Sequence, residues 1–141
     1  MDSHVFATTI LVIDDDQDDV ELFVDAVKEI NSSVICEYAY NASDALVMLE
    51  TAEPLPDIIF LDLVMPKMDG KTLLLKLRDD RKLIEIPVIM VSTNFSDDEM
   101  EYYSSLRVKC LLKPNSYETF VVELRRVLAE FLPDRFSEQI N

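Results

Sequence analysis

The stretch TTILVIDDDQDDVELF, Thr8 to Phe23, decides the fold. Its apolar run Ile10–Ile13 reads as a short buried strand, and it ends abruptly in Asp14, Asp15 and Asp16. Asp18 and Asp19 follow, so five acids occupy six positions. At ~4 Å and an effective dielectric near 20, each pair of carboxylates repels by roughly 4 kcal/mol. A divalent cation, a helix N-terminus or solvent has to offset that repulsion. Directly afterwards Val20, Phe23, Val24, Val27 and Ile30 recur at three-to-four spacing, the pattern of an amphipathic helix.

The same strand-then-helix order repeats along the chain. Further strands are predicted at Val34–Tyr38, Ile58–Leu61, Val88–Val91 and Val108–Leu112. A second helix follows Asn41 with Ala42, Ala45, Leu46 and Leu49, and ends before EPLPD. A third runs from Gly70 to about Asp79 with Leu73, Leu74 and Leu77 inward. The fourth opens at SDDE, where Ser96 and Glu99 have capping-box spacing. On it Met100, Tyr103 and Leu106 share a face expected in the core, which leaves Tyr102 outward and available to a partner. The fifth starts near Asn115–Ser116 and buries Tyr117, Phe120, Val121, Leu124, Val127, Leu128 and Phe131.

Such alternation predicts an α/β, doubly wound parallel sheet with helices on both faces. The strands are continuous apolar runs, as expected where both faces are covered. One domain is predicted over residues 8–131, followed by a tail over 132–141. Phe136 and Ile140 give that tail apolar residues to dock on the body or on a second copy, so a homodimer stays open.

The chain has 141 residues, 49% hydrophobic and 29% charged, which predicts a soluble globular domain. No apolar run approaches the ~20 residues of a membrane span, and the N-terminus lacks a basic n-region, so a cytoplasmic location is expected. A net charge of −15 argues against nucleic-acid binding and suits a basic partner face or a divalent cation. Cys36 and Cys110 each lie in an apolar run and read as reduced core residues. The single histidine, His4, has no ligand-spaced neighbour, so a metal–histidine site and a Ser-His-Asp triad are dropped.

In open α/β sheets ligands bind beyond the carboxyl ends of the strands. Those ends carry Asp14, Asp15 and Asp16, then Asp62, then Ser92 and Thr93, then Lys113. Carboxylates without histidine or thiolate form a hard, all-oxygen site suited to Mg²⁺ or Mn²⁺. A carboxylate can also accept a phosphoryl group, and phosphoryl transfer needs mainly positioning and charge neutralisation. Lys113 and Ser92 suit contacts to phosphoryl oxygens.

These motifs together resemble the response-regulator receiver domains of two-component signalling. ILVIDDD is similar to the family's first strand and acidic pair, and FLDLVMPKMDG to its phospho-acceptor strand and following loop. PVIMVST is similar to its switch-hydroxyl strand and LLKP to its lysine–proline, and the resemblance spans about residues 8 to 130. It implies a flavodoxin-like sheet of order 2-1-3-4-5 with five helices. It implies Asp62 as phospho-acceptor, Asp15 as direct metal ligand, Asp14 as metal support and the Val64 carbonyl as the third ligand. Ser92 is the implied switch hydroxyl and Lys113 the implied phosphate-binding lysine. The Lys113–Pro114 bond is often cis in the family. Gly70, the single glycine, follows Asp69 in the loop after Asp62 and suits a positive φ. The implied partners are a sensor histidine kinase or phosphotransfer protein and a downstream protein target, with no nucleic acid and no membrane. Catalysis is limited to self-phosphorylation and autodephosphorylation, so the chain is expected to signal by contact and not to act as a true enzyme.

Three departures stand out. Cys110 occupies the position of the family's switch aromatic, SSLRVKC lacks its alanine–glycine pair, and Val64 and Asn94 hold the positions that tune phosphate lifetime. Simpler readings compete. Asp16, Asp18 and Asp19 serve well as helix N-cap and first-turn acids. An EF-hand is excluded because its required glycine would be Asp19. A haloacid-dehalogenase-type phosphohydrolase needs Asp-x-Asp, and Val64 stands at the second place after Asp62. A pseudo-receiver that only binds is the remaining alternative.

Overall fold

A computed structural model describes residues 7–136. His4 and Ile140, singled out above, lie outside the described residues. The order is β1 (Thr9–Ile13), α1 (Gln17–Ile30), β2 (Ile35–Ala39), α2 (Ala42–Thr51), β3 (Ile58–Asp62), α3 (Gly70–Arg78), β4 (Val88–Ser92), α4 (Asp97–Ser105), β5 (Lys109–Leu112) and α5 (Tyr117–Phe131). All strand pairs are parallel, in the order β2-β1-β3-β4-β5. The expected doubly wound α/β sheet with five helices is therefore present.

Side chains alternate across each strand, and this splits the core in two. Leu11, Ile13, Leu61 and Met90 face α2, α3 and α4, where they meet Leu49, Leu73, Leu77 and Tyr103. Ile10, Val12, Phe60 and Val91 face α1 and α5, where they meet Phe23, Val27, Leu124 and Leu128. Phe23 fastens the second layer, with its ring 4.8 Å from Phe60 and 5.4 Å from Phe120. Among the described residues, no helix is long and apolar enough to cross a membrane.

The strand limits differ from the hydrophobic runs by a residue. β3 and β4 extend through Asp62 and Ser92, because ladder pairing, not apolarity, defines a strand: Asp62 is in register with Val91 and Ser92 with Leu112. β1, β3 and β4 are buried throughout, but β2 is an edge strand with Ile35 and Tyr38 about half exposed. Coverage of both faces thus holds for the central strands only. The same limit applies on α4. Tyr103 is buried, Met100 is 50% exposed, and Tyr102 is half-buried against the core with the Lys71 ammonium 4.7 Å from its ring centroid. Tyr102 and Met100 therefore exchange the environments expected of them. Past α5 the described residues stay on the body: Phe136 is buried in the α1–α5 layer and Arg135 pairs with Asp57 at 3.0 Å.

The missing alanine–glycine pair has a local consequence. α4 ends in a Schellman motif, with Val108 N–H donating to Tyr103 O at 2.8 Å and Arg107 N–H to Ser104 O at 2.9 Å. The residue that must turn left-handed is Arg107, at φ 61°. A side chain there crowds its own backbone, which glycine avoids. Arg107→Gly is therefore expected to raise the unfolding free energy by roughly 0.5–1 kcal/mol in urea titration, with no change in the far-UV spectrum.

Candidate functional site

Three strand ends and the first turn of α1 build the site. Asp14 leaves β1 with its N–H donating to Ala39 O, and its Oδ1 accepts from the Asp16 N–H at 2.9 Å. Asp16 is the N-cap of α1, and its carboxylate accepts from the Asp18 and Asp19 amides. That turn swings Asp15 outward and exposed, while Asp14 and Asp62 are buried at 6% and 7% relative exposure. Carboxylate oxygens of Asp14, Asp15 and Asp62 lie within 4.8 Å of one another.

Lys113 leaves β5 with its N–H donating to Ser92 O at 2.9 Å, which sets the lysine across the sheet from the acids. Its ammonium is 3.1 Å from Asp14 Oδ2, 2.9 Å from Asp19 Oδ2 and 3.5 Å from Asp62 Oδ1. Asp19, expected only as a first-turn acid of α1, is thus a member of the cluster. The available signal was redundancy. Asp16 alone satisfies both first-turn amides, so Asp19 is left free to pair elsewhere. Asp14, Asp19, Asp62 and Lys113 line a cavity of about 140 Å³ whose other walls include Phe23, Phe60 and Tyr117.

Ser92 is buried at the end of β4 but closes on its own loop, donating to Asn94 O at 3.0 Å and accepting from the Asn94 N–H at 3.3 Å. Val64, two residues past Asp62, leaves its side chain 70% exposed, and its backbone amide pulls the Asp62 carboxyl slightly down against burial. The Lys113–Pro114 bond is not cis; Glu53–Pro54 is the cis bond among the described residues.

Gly70 has a different purpose from the one expected. Its φ is not positive. It opens α3 against the loop after β3, with its N–H donating to Leu63 O at 2.9 Å. A Cβ there would lie 2.9 Å from Leu63 Cα and would clash with Asp62 O. Glycine is required by close backbone approach, and so it fixes where Asp62 stands.

The electrostatics are unbalanced. Three carboxylates (Asp14, Asp19 and Asp62) contact one ammonium, and a fourth, Asp15, stands beside Asp14 and Asp62. Burial, then the Asp14 charge, push Asp62 up to about 6, against the pull of Lys113. Burial also raises Asp14, partly offset by the Asp16 amide and Lys113. For Lys113 burial favours the neutral form, but Asp19, Asp14 and Asp62 outweigh it and hold the ammonium charged well above the ordinary range. The donor set is all oxygen, excess negative and open at Asp15, which fits a hard divalent cation.

A carboxyl whose pKa rises on folding binds its proton more tightly in the folded state. Its stabilisation is full below the unfolded value of 3.8 and is lost as pH rises through about 6. Metal-free Asp62→Asn is therefore expected to be more stable than the wild type near neutral pH by on the order of 2–3 kcal/mol. Denaturant titrations across the acid range should show that gain vanish below about pH 4.

Comparison with known proteins bears on this arrangement. The family model for the response regulator receiver domain matches residues 10–125. The probable methanogenesis regulatory protein FilR2 of Methanothrix harundinacea is 30% identical over 126 residues, covering 86% of this chain and 79% of that protein. The sensor histidine kinase CheAY of Helicobacter pylori is 30% identical over 118 residues, which cover 83% of this chain but only 14% of that protein. Among solved structures, the Mn(2+)-bound form of response regulator Rcp1 superposes with a TM-score of 0.72 at 26% identity, covering 89% of this chain and 94% of that one. With the family model covering most of the chain and the relative matching over most of its length, the chain belongs to the response-regulator receiver domain family.

Proposed function

We propose that this receiver domain accepts a phosphoryl group on Asp62 from a histidine kinase or phosphotransfer protein. The observation that carries the reading is the convergence of Lys113 on Asp62 at 3.5 Å beside the Asp14–Asp15 pair. Asp62 Oδ forms the new bond to phosphorus as the bond from phosphorus to the donor breaks. Asp15 and Asp14, with Asp62 and the Val64 carbonyl, are the groups that would hold Mg²⁺ or Mn²⁺. A bound cation supplies charge neutralisation for the phosphoryl oxygens. Manganese in the related Rcp1 structure supports that choice of metal.

The chain's own groups do the rest. Lys113 neutralises a phosphoryl oxygen, and its charged state is secured by the acids around it. Ser92 has to give up its Asn94 contacts to donate to the phosphoryl group. Phe95 follows in the same loop and packs edge-on to Tyr103, with centroids 6.4 Å apart. Movement of the Ser92 loop therefore reaches α4 through aromatic contact, although the β5 position of the usual switch aromatic is Cys110. The output is a protein contact remade on that face.

Intact mass after incubation with acetyl phosphate and Mg²⁺ tests the reading. The wild type is expected to gain one phosphoryl group, lose the gain on chelation and show none as Asp62→Asn. A folded wild type that neither gains mass nor turns over acetyl phosphate would contradict phospho-acceptance and leave a domain that works by binding alone.

A further inference from the structure

Lys113 makes its shortest contact with neither of the acids flanking the metal position nor with Asp62. Asp19 holds it at 2.9 Å, against 3.1 Å for Asp14 and 3.5 Å for Asp62. Asp19 comes from the first turn of α1 and lines the same cavity as Asp14, Asp62 and Lys113. It is 36% exposed at its side chain, whereas Asp14 is 8% exposed, so hydration lets Asp19 release the lysine more cheaply. The helix start does not need it, since the Asp16 carboxylate already accepts from both amides of that turn.

We propose that Asp19 is the resting counter-ion of Lys113, a positioning residue that shares the ammonium with Asp62 and competes with an incoming phosphoryl group for it. The inference rests on Asp62 being the acceptor. An anion arriving at Asp62 meets two obstacles from Asp19: the lysine is engaged, and one more negative charge stands within the same cavity. Neutralising Asp19 removes both. Asp14 cannot replace it in this respect, because Asp14 also faces the acids that would hold a cation. Asp19 thus sets how readily the domain charges, independently of the residues that touch phosphorus.

Beryllium trifluoride, which bonds to a carboxylate oxygen and mimics a phosphoryl group, reads this without turnover. Its affinity at saturating Mg²⁺ is measured by NMR titration for wild type, Asp19→Asn and Asp19→Glu, each first shown folded by thermal melting. Asp19→Asn is expected to bind about three- to fivefold tighter, the scale of a half-exposed ion pair, with acetyl phosphate labelling faster by a similar factor. Asp19→Glu restores the carboxylate and is expected to return close to wild type. Unchanged or weaker binding in Asp19→Asn, or equally tight binding in Asp19→Glu, overturns the role of Asp19 while leaving the acceptor intact. A wild type that takes neither beryllium trifluoride nor phosphate overturns the acceptor reading itself.

Discussion

One ammonium among four carboxylates is the constraint on which the rest of this domain depends. Asp14 and Asp62 are both buried, and a pair of like charges ~5 Å apart at an effective dielectric near 20 repels by about 3 kcal/mol. Lys113 attracts each of them, yet a single positive charge cannot balance the set. The fold holds the acids in place through backbone geometry that the charges do not supply. Gly70 lets α3 press on the backbone at Asp62, the Asp16 cap turns the chain so that Asp14 points inward, and β4–β5 pairing delivers Lys113 from the far side. The shortage of positive charge that results is the physical basis of the proposed uptake of a cation and a phosphoryl group.

Much of this was legible in the amino-acid order. Alternating apolar runs and three-to-four periodicity identify all ten elements, because a central parallel strand and an amphipathic helix leave opposite periods. The strand ends name Asp14, Asp15, Asp62, Ser92 and Lys113 by position alone, since a parallel sheet aligns its carboxyl ends. The resemblance to receivers then assigns roles to the same residues. What was hidden had physical causes. Exposure of β2 follows from its place at the edge of the sheet, which a run of apolar residues does not reveal. Tyr102 and Met100 differ by two residues on one helix, and only the packing of α4 against Lys71 and the core decides which is covered. Asp19 looked sufficient as a first-turn acid, and its partner lies 94 residues away in sequence. Gly70 was read for its conformational freedom, whereas its lack of a Cβ is what counts.

The departures from the family pattern are local and are absorbed locally. Arg107 takes the left-handed position that a glycine would hold more easily, and the Schellman bonds still form. With Cys110 at the usual aromatic position, aromatic mass is concentrated in α4 and its preceding loop, where Tyr103 contacts both Tyr102 and Phe95. Tyr103 is fully buried, and that burial, first of all, pushes its hydroxyl up to about 12. Phe95 thus links the loop after β4 to α4 by packed aromatic rings, with no aromatic residue on β5.

The acid cluster is short of positive charge, and the proposed function has a divalent cation held through Asp15 complete it. The most direct test is the melting temperature near neutral pH as Mg²⁺ is titrated, compared between wild type and Asp15→Asn. Saturable stabilisation of the wild type, with little or none in the variant, is the predicted result. A wild type that melts at the same temperature with and without Mg²⁺, or a variant that responds equally, would contradict it.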